Sequence, residues 1–535
     1  MATLAAPAAV TTAPAAATGA SDDRYANKYL IAVAVTLAAV LELIDTSIVN
    51  VALPHMMGTL GATLDEISWV STGYIIANVI VIPMSGWLSA YFGRRRYLTG
   101  SILLFVVASF FCGAATSLAG LVIWRIIQGI GGGALLSTAQ STLFEAFPPE
   151  ERGVGQAIFG IGVMVGPTIG PTLGGYIVDQ LNWPWIFWIN VPLGILAALL
   201  VFTYVRNAAW QEKARTIDFA GIALLTVAVG SLQWMLERGE RYDWFESRFV
   251  TVLGLTALVS AVLLVWRELT TDEPVIDFRI LKSRQLAPGV LFASALGLGL
   301  YGSVFVLPIF LQQLHGYTAQ QTGLVILPGA IASAVTMAAM ARNSARIDAR
   351  YTIVAGACCF FASMLLMSRM TLDSGHDDMF WPLILRGVGL GLIFVPLTNA
   401  TVSELPPHKI PQGTGLFNLT RQLGGSLGIA IMATLLSRQT KVARAVLAEH
   451  VAQGNAEATA RLDLLTRGMQ ARGADLVTAK QQAYAILDRQ IAGQASVLAF
   501  SRIYFLSGLI LLAALPLLLV WRHGRARPVA GADAH

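Results

Sequence analysis

The feature that leaves this chain fewest options is a series of apolar runs, each about as long as a bilayer is thick. A helix needs roughly 20 such residues to cross a membrane, where lipid gives backbone N–H and C=O groups no partners but their own. Fourteen runs qualify by length and flanking charge, at approximately 30–53, 67–90, 97–117, 119–146, 153–178, 185–205, 217–236, 249–267, 286–311, 321–341, 351–371, 379–402, 413–437 and 499–521. Only 13% of the residues are charged and 55% are hydrophobic, whereas a soluble domain carries about 25% charged residues. The sequence therefore predicts an all-α polytopic membrane protein.

The basic residues decide orientation. With the N-terminus inside, Arg24, Lys28, Arg94, Arg95, Arg96, Arg152, Arg206, Lys213, Arg215, Arg267, Arg279, Lys282, Arg284, Arg342, Arg346, Arg350, Lys409, Arg522, Arg525 and Arg527 all fall in cytoplasmic segments. The outer loops hold little beyond Arg238, Arg241, Arg248 and Arg369. That asymmetry satisfies the positive-inside rule with both termini cytoplasmic. It also explains the pI of 9.1 without nucleic acid as a partner. Residues 1–29 lack a basic stretch leading into an unbroken apolar core, so they read as a disordered cytoplasmic tail with no cleaved signal. Residues 523–535 form the second tail. Cys112, Cys358 and Cys359 lie inside spans, and no HExxH or CxxC occurs, so neither a disulfide framework nor a metal site is expected.

The halves echo one another. Arg125 opens RIIQGIGGGAL in span four and Arg386 opens RGVGLGLIF in span twelve, each at the outer third of an inward-running helix. The basic loop after span two has a weaker counterpart after span ten. Two six-span repeats with an inserted pair account for both coincidences, and paired repeats are a transporter signature. The expected divisions are a 30–205 N-terminal six-helix bundle, a 206–285 segment holding inserted spans seven and eight, and a 286–522 C-terminal six-helix bundle. Within the last, a 438–498 outer segment without proline is expected to form one or two amphipathic helices, for apolar residues such as Ala479, Ala483, Ile486, Leu487 and Ile491 recur at helical spacing.

Two acids, Glu42 and Asp45, interrupt the first span. They lie three residues apart and so share a helix face. A carboxylate at membrane depth costs several kcal/mol unless it is paired or neutralised, about 3 kcal/mol on insertion scales. Two readings stand: a buried pair that only locks helices, or a proton or substrate site. At 1.5 Å per residue, Asp45 lies roughly 12 Å below the outer end of span one at Pro54, and Arg125 roughly 9–10 Å below its own outer end. The depths agree, so the two are expected to pair, with Glu42 and Gln128 matched one turn deeper. A carboxylate whose protonation depends on a nearby cation supplies a basis for coupling. In span five, Gly162, Gly166, Gly170 and Gly174 form an i, i+4 stripe with Pro167 and Pro171 following, which suits close helix approach.

In order, LELIDTSIVNVALP (41–54), RIIQGIGGGA (125–134), GIGVMVGPTIGPTLGG (160–175), WIFWINVPLGI (185–195) and GLFNLTRQLGGSLGIAI (415–431) resemble the motifs of fourteen-span drug:proton antiporters of the major facilitator superfamily, of the multidrug resistance protein B type. The resemblance covers about residues 30–521 and implies the major facilitator fold, two six-helix bundles plus two inserted helices. It supports proton-coupling roles for Asp45 and Arg125, with Glu42 and Gln128 beside them. It also implies a sealed, hinged antiporter seam between the halves at Gly162, Gly166, Pro167, Gly170, Pro171, Gly174 and Gly175. GWLSAYFGRRR (86–96) resembles the family's gating loop, with Gly86, Gly93, Arg94, Arg95 and Arg96 as its parts. Ala90 stands where the family usually has Asp, and Tyr91 where it usually has a basic residue, so an Asp-based charge relay is not carried over.

The expected function is proton-coupled efflux of amphipathic drug-like compounds across the bacterial inner membrane by alternating access. No cofactor is expected, the proton gradient being the drive. Membrane lipids, small amphipathic substrates and protons are the expected partners, and the resemblance adds a periplasmic adaptor protein and an outer-membrane channel. An exporter dedicated to an endogenous metabolite such as a fatty acid or siderophore is the alternative. An enzyme is disfavoured by the lack of any nucleophile–base set, and a channel by paired repeats with one buried acid pair.

Overall fold

The computed structural model describes residues 27–207, 217–343, 347–451 and 455–521. The expected tails lie outside these residues except at 27–29, where Lys28 already begins a helix. Fourteen helices among the described residues are long and apolar enough to span a membrane: Lys28–Leu60, Asp65–Phe92, Arg94–Gly113, Leu118–Ala146, Pro149–Gln180, Trp185–Tyr204, Phe219–Arg238, Arg248–Thr270, Leu286–Leu314, Gln320–Asn343, Ala349–Met367, His376–Val402, Pro407–Glu449 and Leu476–Val520. They are spans one to fourteen below. The face holding Lys28, Arg94 and Arg152 is called the basic face, and the opposite one the far face.

Local chemistry sets the ends of these helices. Span one passes through Pro54 and stops only at Gly61, whose φ of 61° supplies a left-handed cap. Its far end therefore lies beyond Pro54, where the sequence placed it; one missing N–H does not end a helix that neighbours support. Gly93, at φ 85°, makes the tight turn between spans two and three. Span thirteen belongs to a single helix of 41 residues, Ile410–His450. With Ala456–Gln470 and the first turns of Leu476–Ala514 it builds the expected outer helical segment. Ile410–His450 and Leu476–Ala514 extend spans thirteen and fourteen themselves, because a run rich in Ala, Leu, Gln and Arg gives no signal to stop, while Ala456–Gln470 is a helix of its own, capped by Asn455.

Spans one to six and nine to fourteen form the two six-helix bundles of the major facilitator fold, with spans seven and eight added. One apolar core is built from spans nine to fourteen, around Phe292, Val325, Phe360, Leu383 and Tyr504. Another fills the first bundle around Leu41, Phe105, Leu135 and Phe159, and takes in Met337 and Phe394 from the second. The bundles meet where span five packs on span ten and span two on span thirteen.

The span-five glycines correct one expectation. A Cβ on Gly162 would lie 2.5 Å from Thr36, on Gly166 2.7 Å from Leu43, on Gly170 1.8 Å from the Ser47 hydroxyl and on Gly174 2.7 Å from Ile48. All four neighbours belong to span one, so the stripe is a seam inside the first bundle and not one between the halves. Periodicity had shown that a helix comes close, but not which helix. Gly175 has nothing within 4 Å and is not part of the seam. Between bundles, span five instead presents Gly160 to Met337 and Phe394, while Thr172 meets Gly323.

Gly170→Leu should therefore force spans one and five apart at about 1–3 kcal/mol or more, and Gly175→Leu should be silent. Thermal midpoints of the purified variants check this; equal midpoints for the two would contradict the seam.

Candidate functional site: a buried ion-pair network

The site forms where span four approaches span two. A Cβ on Gly129 would fall 2.4 Å from the Tyr74 carbonyl, and one on Gly133 2.4 Å from the Asn78 carbonyl. The glycines after Arg125 thus let two backbones close to contact, which sets the Arg125 guanidinium 4.2 Å from the centre of the Tyr74 ring. The Phe187 ring lies 5.6 Å away.

Arg125 and Asp45 are 1% and 0% exposed. The guanidinium Nη1 donates to Asp45 Oδ2 at 2.5 Å and to Gln128 Oε1 at 2.8 Å, while its Nε donates to the Val70 carbonyl at 3.0 Å. Asp45 Oδ1 accepts from Gln128 Nε2 and from Asn190 Nδ2, each at 2.9 Å. Asn190 also donates to Ser109 Oγ at 3.2 Å. One carboxylate on span one is thus held by donors from spans four and six, and the network reaches spans two and three. The pairing expected from depth is present.

An ionised carboxylate only accepts, whereas a protonated one must place a donor. Asp45 accepts at both oxygens, from three donors, two on Oδ1 and one on Oδ2. In a dry interior, separating such a pair leaves an uncompensated charge, which is strongly unfavourable. The pair can therefore separate without a large cost only if the surrounding helices shift to satisfy each ion.

Glu42 departs from expectation. It does not meet Gln128, which is occupied by Asp45 and Arg125. Its Oε1 accepts from Asn78 Nδ2 of span two at 2.8 Å, and its Oε2 has no hydrogen-bond partner. Three residues turn a helix by about 300°, or about 60° short of a full circle. That offset carries Glu42 from the span-four side to the span-two side.

In the loop from Gly86 to Arg96, the parts serve separate purposes. A Cβ on Gly86 would sit 3.0 Å from the span-thirteen backbone at Pro411 and Gln412, so this glycine lies between the bundles near the basic face. Arg94, 2% exposed, makes a two-pronged ion pair with Glu145 at the end of span four. The Arg95 N–H donates to Asn207 Oδ1 at 3.0 Å and its guanidinium lies over Phe202. Arg96 lines a groove of about 570 Å³ between spans two and three, with Met84, Leu88, Tyr91 and Tyr97. Arg386, the counterpart of Arg125 in the second bundle, is buried, and no carboxylate pairs with it among the described residues. Asn190 and Glu145 were not singled out from sequence; Asn190 stands within WIFWINVPLGI as a lone amide among apolar residues, and that was its only signal.

Residues 35–429 match the profile of the Major Facilitator Superfamily. The chain is 34% identical over 513 residues to the multidrug export protein EmrB of Escherichia coli K12, covering 95% of this chain and 97% of that one. It is 34% identical over 417 residues to the fatty acid resistance protein FarB of Neisseria gonorrhoeae, covering 78% and 82%. Among solved structures, the human organic anion transporter MFSD10 aligns with a TM-score of 0.59 at 15% identity, over 90% of this chain and 99% of that one.

Breaking the Arg94–Glu145 pair from one side leaves a buried charge alone. Arg94→Ala or Glu145→Ala should each cost about 3–5 kcal/mol, and the double variant less than either. Thermal melts of the three proteins decide; a double variant as unstable as the sum of the two would deny the pair.

Proposed function

We propose, from the premise that this chain belongs to the Major Facilitator Superfamily and is a membrane transporter, that it is a proton-coupled exporter of amphipathic drug-like compounds. The observation that carries this reading is the Asp45–Arg125 ion pair, sealed from water yet bonded by groups on separate helices. Proton entry at Asp45 from the far side releases Arg125 or one of the amides. The spans holding those groups then shift, the bundles rock, and the proton leaves toward the basic face while substrate moves outward. Asp45 is the proton carrier in this scheme, Arg125 its counter-ion, and Gln128 and Asn190 orient the carboxylate.

The basic face is cytoplasmic, in the inner membrane of a bacterium, on the strength of the loop charges. Arg238 and Arg241, two of the few cations on the far face, both ion-pair with Asp65, which leaves the asymmetry of free charge larger than residue counts suggest. Gly86 and Gly93 shape the gating loop. Arg94 ties it to span four, and Arg95 and Arg96 anchor it beyond. The span-five glycines and prolines hold span one, which carries Asp45, in place. The proton gradient is the drive, and no cofactor enters. The outer helical segment exposes Val442, Val446, Leu464 and Tyr484, a surface suited to a periplasmic adaptor that leads to an outer-membrane channel. Similarity to both a multidrug exporter and a fatty acid resistance protein supports two substrate classes: broad drug-like amphipaths, or a dedicated lipid-like acid.

In proteoliposomes with an imposed pH gradient and a panel of dyes, drugs and fatty acids, the wild type should accumulate substrate only while the gradient lasts. Asp45→Asn should remove gradient-driven transport and also lower the melting midpoint, because Arg125 loses its counter-charge; Asp45→Glu, which keeps the pair, should melt close to the wild type. Undiminished pumping by Asp45→Asn would take Asp45 out of the mechanism, and uptake of fatty acids alone would favour the dedicated exporter.

A further inference from the structure

Arg125 and Arg421 are both buried guanidinium groups, with different surroundings. Arg125 has a carboxylate against it and places three hydrogen bonds. Arg421, in span thirteen, is 2% exposed and has no carboxylate within ion-pair distance among the described residues. Its Nη1 donates to the Tyr301 hydroxyl at 3.0 Å, its Nη2 donates to Asn418 Oδ1 at 3.2 Å, and its Nε has no partner. A guanidinium carries five N–H donors, so two neutral acceptors leave most of them unused. A cation at membrane depth is costly without a negative partner, and intramembrane charges of this kind mark substrate or ion pathways.

Arg421 stands where the bundles meet. One turn before it, Asn418 donates to Gln140 of span four at 2.6 Å, a bond from the second bundle to the first. Tyr301, which accepts from Nη1, belongs to span nine. At 1.5 Å per residue, Arg421 lies roughly 21 Å from the start of span thirteen at Pro407, and Tyr301 roughly 22 Å from the start of span nine at Leu286. Both helices start at the basic face, and both depths fall within a hydrocarbon core of about 30 Å. Span nine turns its other side to span fourteen, where a Cβ on Gly299 would lie 3.4 Å from Leu511 and from the Ser507 carbonyl. Tyr301 and Phe305 follow Gly299 by two and six residues, about 200° and 240° round the helix, so they point away from span fourteen. Both are half-buried, and two turns beyond Phe305 Gln312 is exposed. On span one, buried Glu42 is likewise followed at one-turn intervals by half-buried Thr46 and exposed Asn50. Toward the basic face the interface is closed, by Phe144 of span four against Val402 and Ile410. Arg421 is therefore reached from the far-face end, past Tyr301.

We infer that Arg421 and Tyr301 form a binding site for the acidic head of an amphipathic substrate, a carboxylate on an apolar chain. The inference rests on the exporter reading above and names a substrate class for it. The Tyr301 oxygen accepts from Arg421, which leaves its own O–H to donate outward. A carboxylate in the cleft accepts from that hydroxyl and from the unused edge of the guanidinium, whose planar fork matches two carboxylate oxygens. The apolar chain lies along Phe305, between the bundles. Binding moves no proton, since Arg421 stays charged throughout. The cleft opens here on the far face, the side to which an exporter releases. Head-group charge decides what is held: an alcohol of the same length still hydrogen-bonds but brings no charge, and an ammonium head cannot accept and meets a like charge.

Equilibrium binding of dodecanoate, dodecanol and dodecylammonium to the full-length protein in lipid nanodiscs, with empty nanodiscs subtracted, tests the site. The wild type should prefer dodecanoate to dodecanol by roughly 10- to 100-fold, the range that hydrogen bonds to a charged group supply, and should bind dodecylammonium most weakly. Arg421→Gln should bring dodecanoate and dodecanol to near parity. Arg421→Lys, which keeps the charge without the fork, should hold an intermediate preference. Tyr301→Phe should reduce the preference by less than Arg421→Gln does. Should Arg421→Gln not fold, Asn418→Asp carries the test: it puts a carboxylate of the chain's own where Nη2 now donates, and should likewise remove the preference. A wild type that binds dodecanol as tightly as dodecanoate, or a preference that survives Arg421→Gln or Asn418→Asp, would overturn the inference and leave proton coupling untouched. Transport by the wild type that ignores a pH gradient would instead overturn the proton-coupled reading and leave the order of binding as it is.

Discussion

A carboxylate and a guanidinium placed at membrane depth without water set the terms for the first bundle. Neither ion is tolerable alone there, and even paired they need every remaining lone pair and N–H occupied to offset the loss of solvent. That requirement explains a set of otherwise unrelated residues. Gln128 follows Arg125 by three positions, so its amide can reach both members of the pair. Asn190 reaches in from span six, and Ser109 of span three supports it. The Val70 carbonyl takes the guanidinium Nε, and Tyr74 covers its face. Five helices are positioned by the needs of one ion pair, and the glycines of spans four and five let them come close enough to meet those needs.

Spans seven and eight act on both bundles at once. Near the far face, Arg238 donates to Ser68 Oγ at 2.5 Å and to the Asp65 carbonyl at 3.3 Å, in the first bundle. Gln233 donates to Ser426 and Trp244 to Thr434, each at 2.9 Å, in the second. Trp244 makes its bond from a backbone at φ 54°, next to Asp243 at 52°. Residues other than glycine occupy that region at a cost of about 1–3 kcal/mol each when the surroundings fix them there. Near the basic face, Lys409 of the second bundle pairs at 3.1 Å with Asp277, in the segment after span eight. The added pair is therefore tied to both bundles near the far face and to the second near the basic face, so any relative movement of the bundles would bend or break these ties.

How far the sequence could be read depended on the kind of geometry each feature needed. Depth was legible, because helix rise is fixed and span ends are marked by charge; Asp45 and Arg125 could be matched from their positions alone. Rotation about the helix axis was not, so Glu42 was set opposite Gln128 when it faces Asn78. The glycine stripe announced a close neighbour, and only packing identifies that neighbour as span one. The helical character of the outer segment followed from composition, yet its continuity with span thirteen did not, since no residue between Arg438 and His450 marks either a stop or an exit from the membrane. Glu145 sits at a span end where acids are common, and nothing near it in sequence points to Arg94.

The two bundles carry their buried charge on different terms. The first holds titratable acids, Asp45 and Glu42, whose charge changes with proton occupancy. The second holds Arg421 with neutral partners and Arg386 with its Nη1 unpartnered, and apart from Asp488, in the outer extension of span fourteen, its spans bear no acid away from their ends. Arginine does not give up its proton in this range, so these two buried charges are constant at every pH a cell meets. Among the membrane-buried charges, those that can vary with pH therefore lie in the first bundle. On the proposed proton-coupled reading, this division would let a proton act as a switch, since a fixed positive charge gives meaning to each gain or loss of negative charge opposite it. Had both sides been titratable, the same change in pH would have altered both members, and attraction could have disappeared by two routes with opposite proton counts. A single titrating partner fixes the sign of the response, which a carrier needs if proton flow is to drive its cargo in one direction.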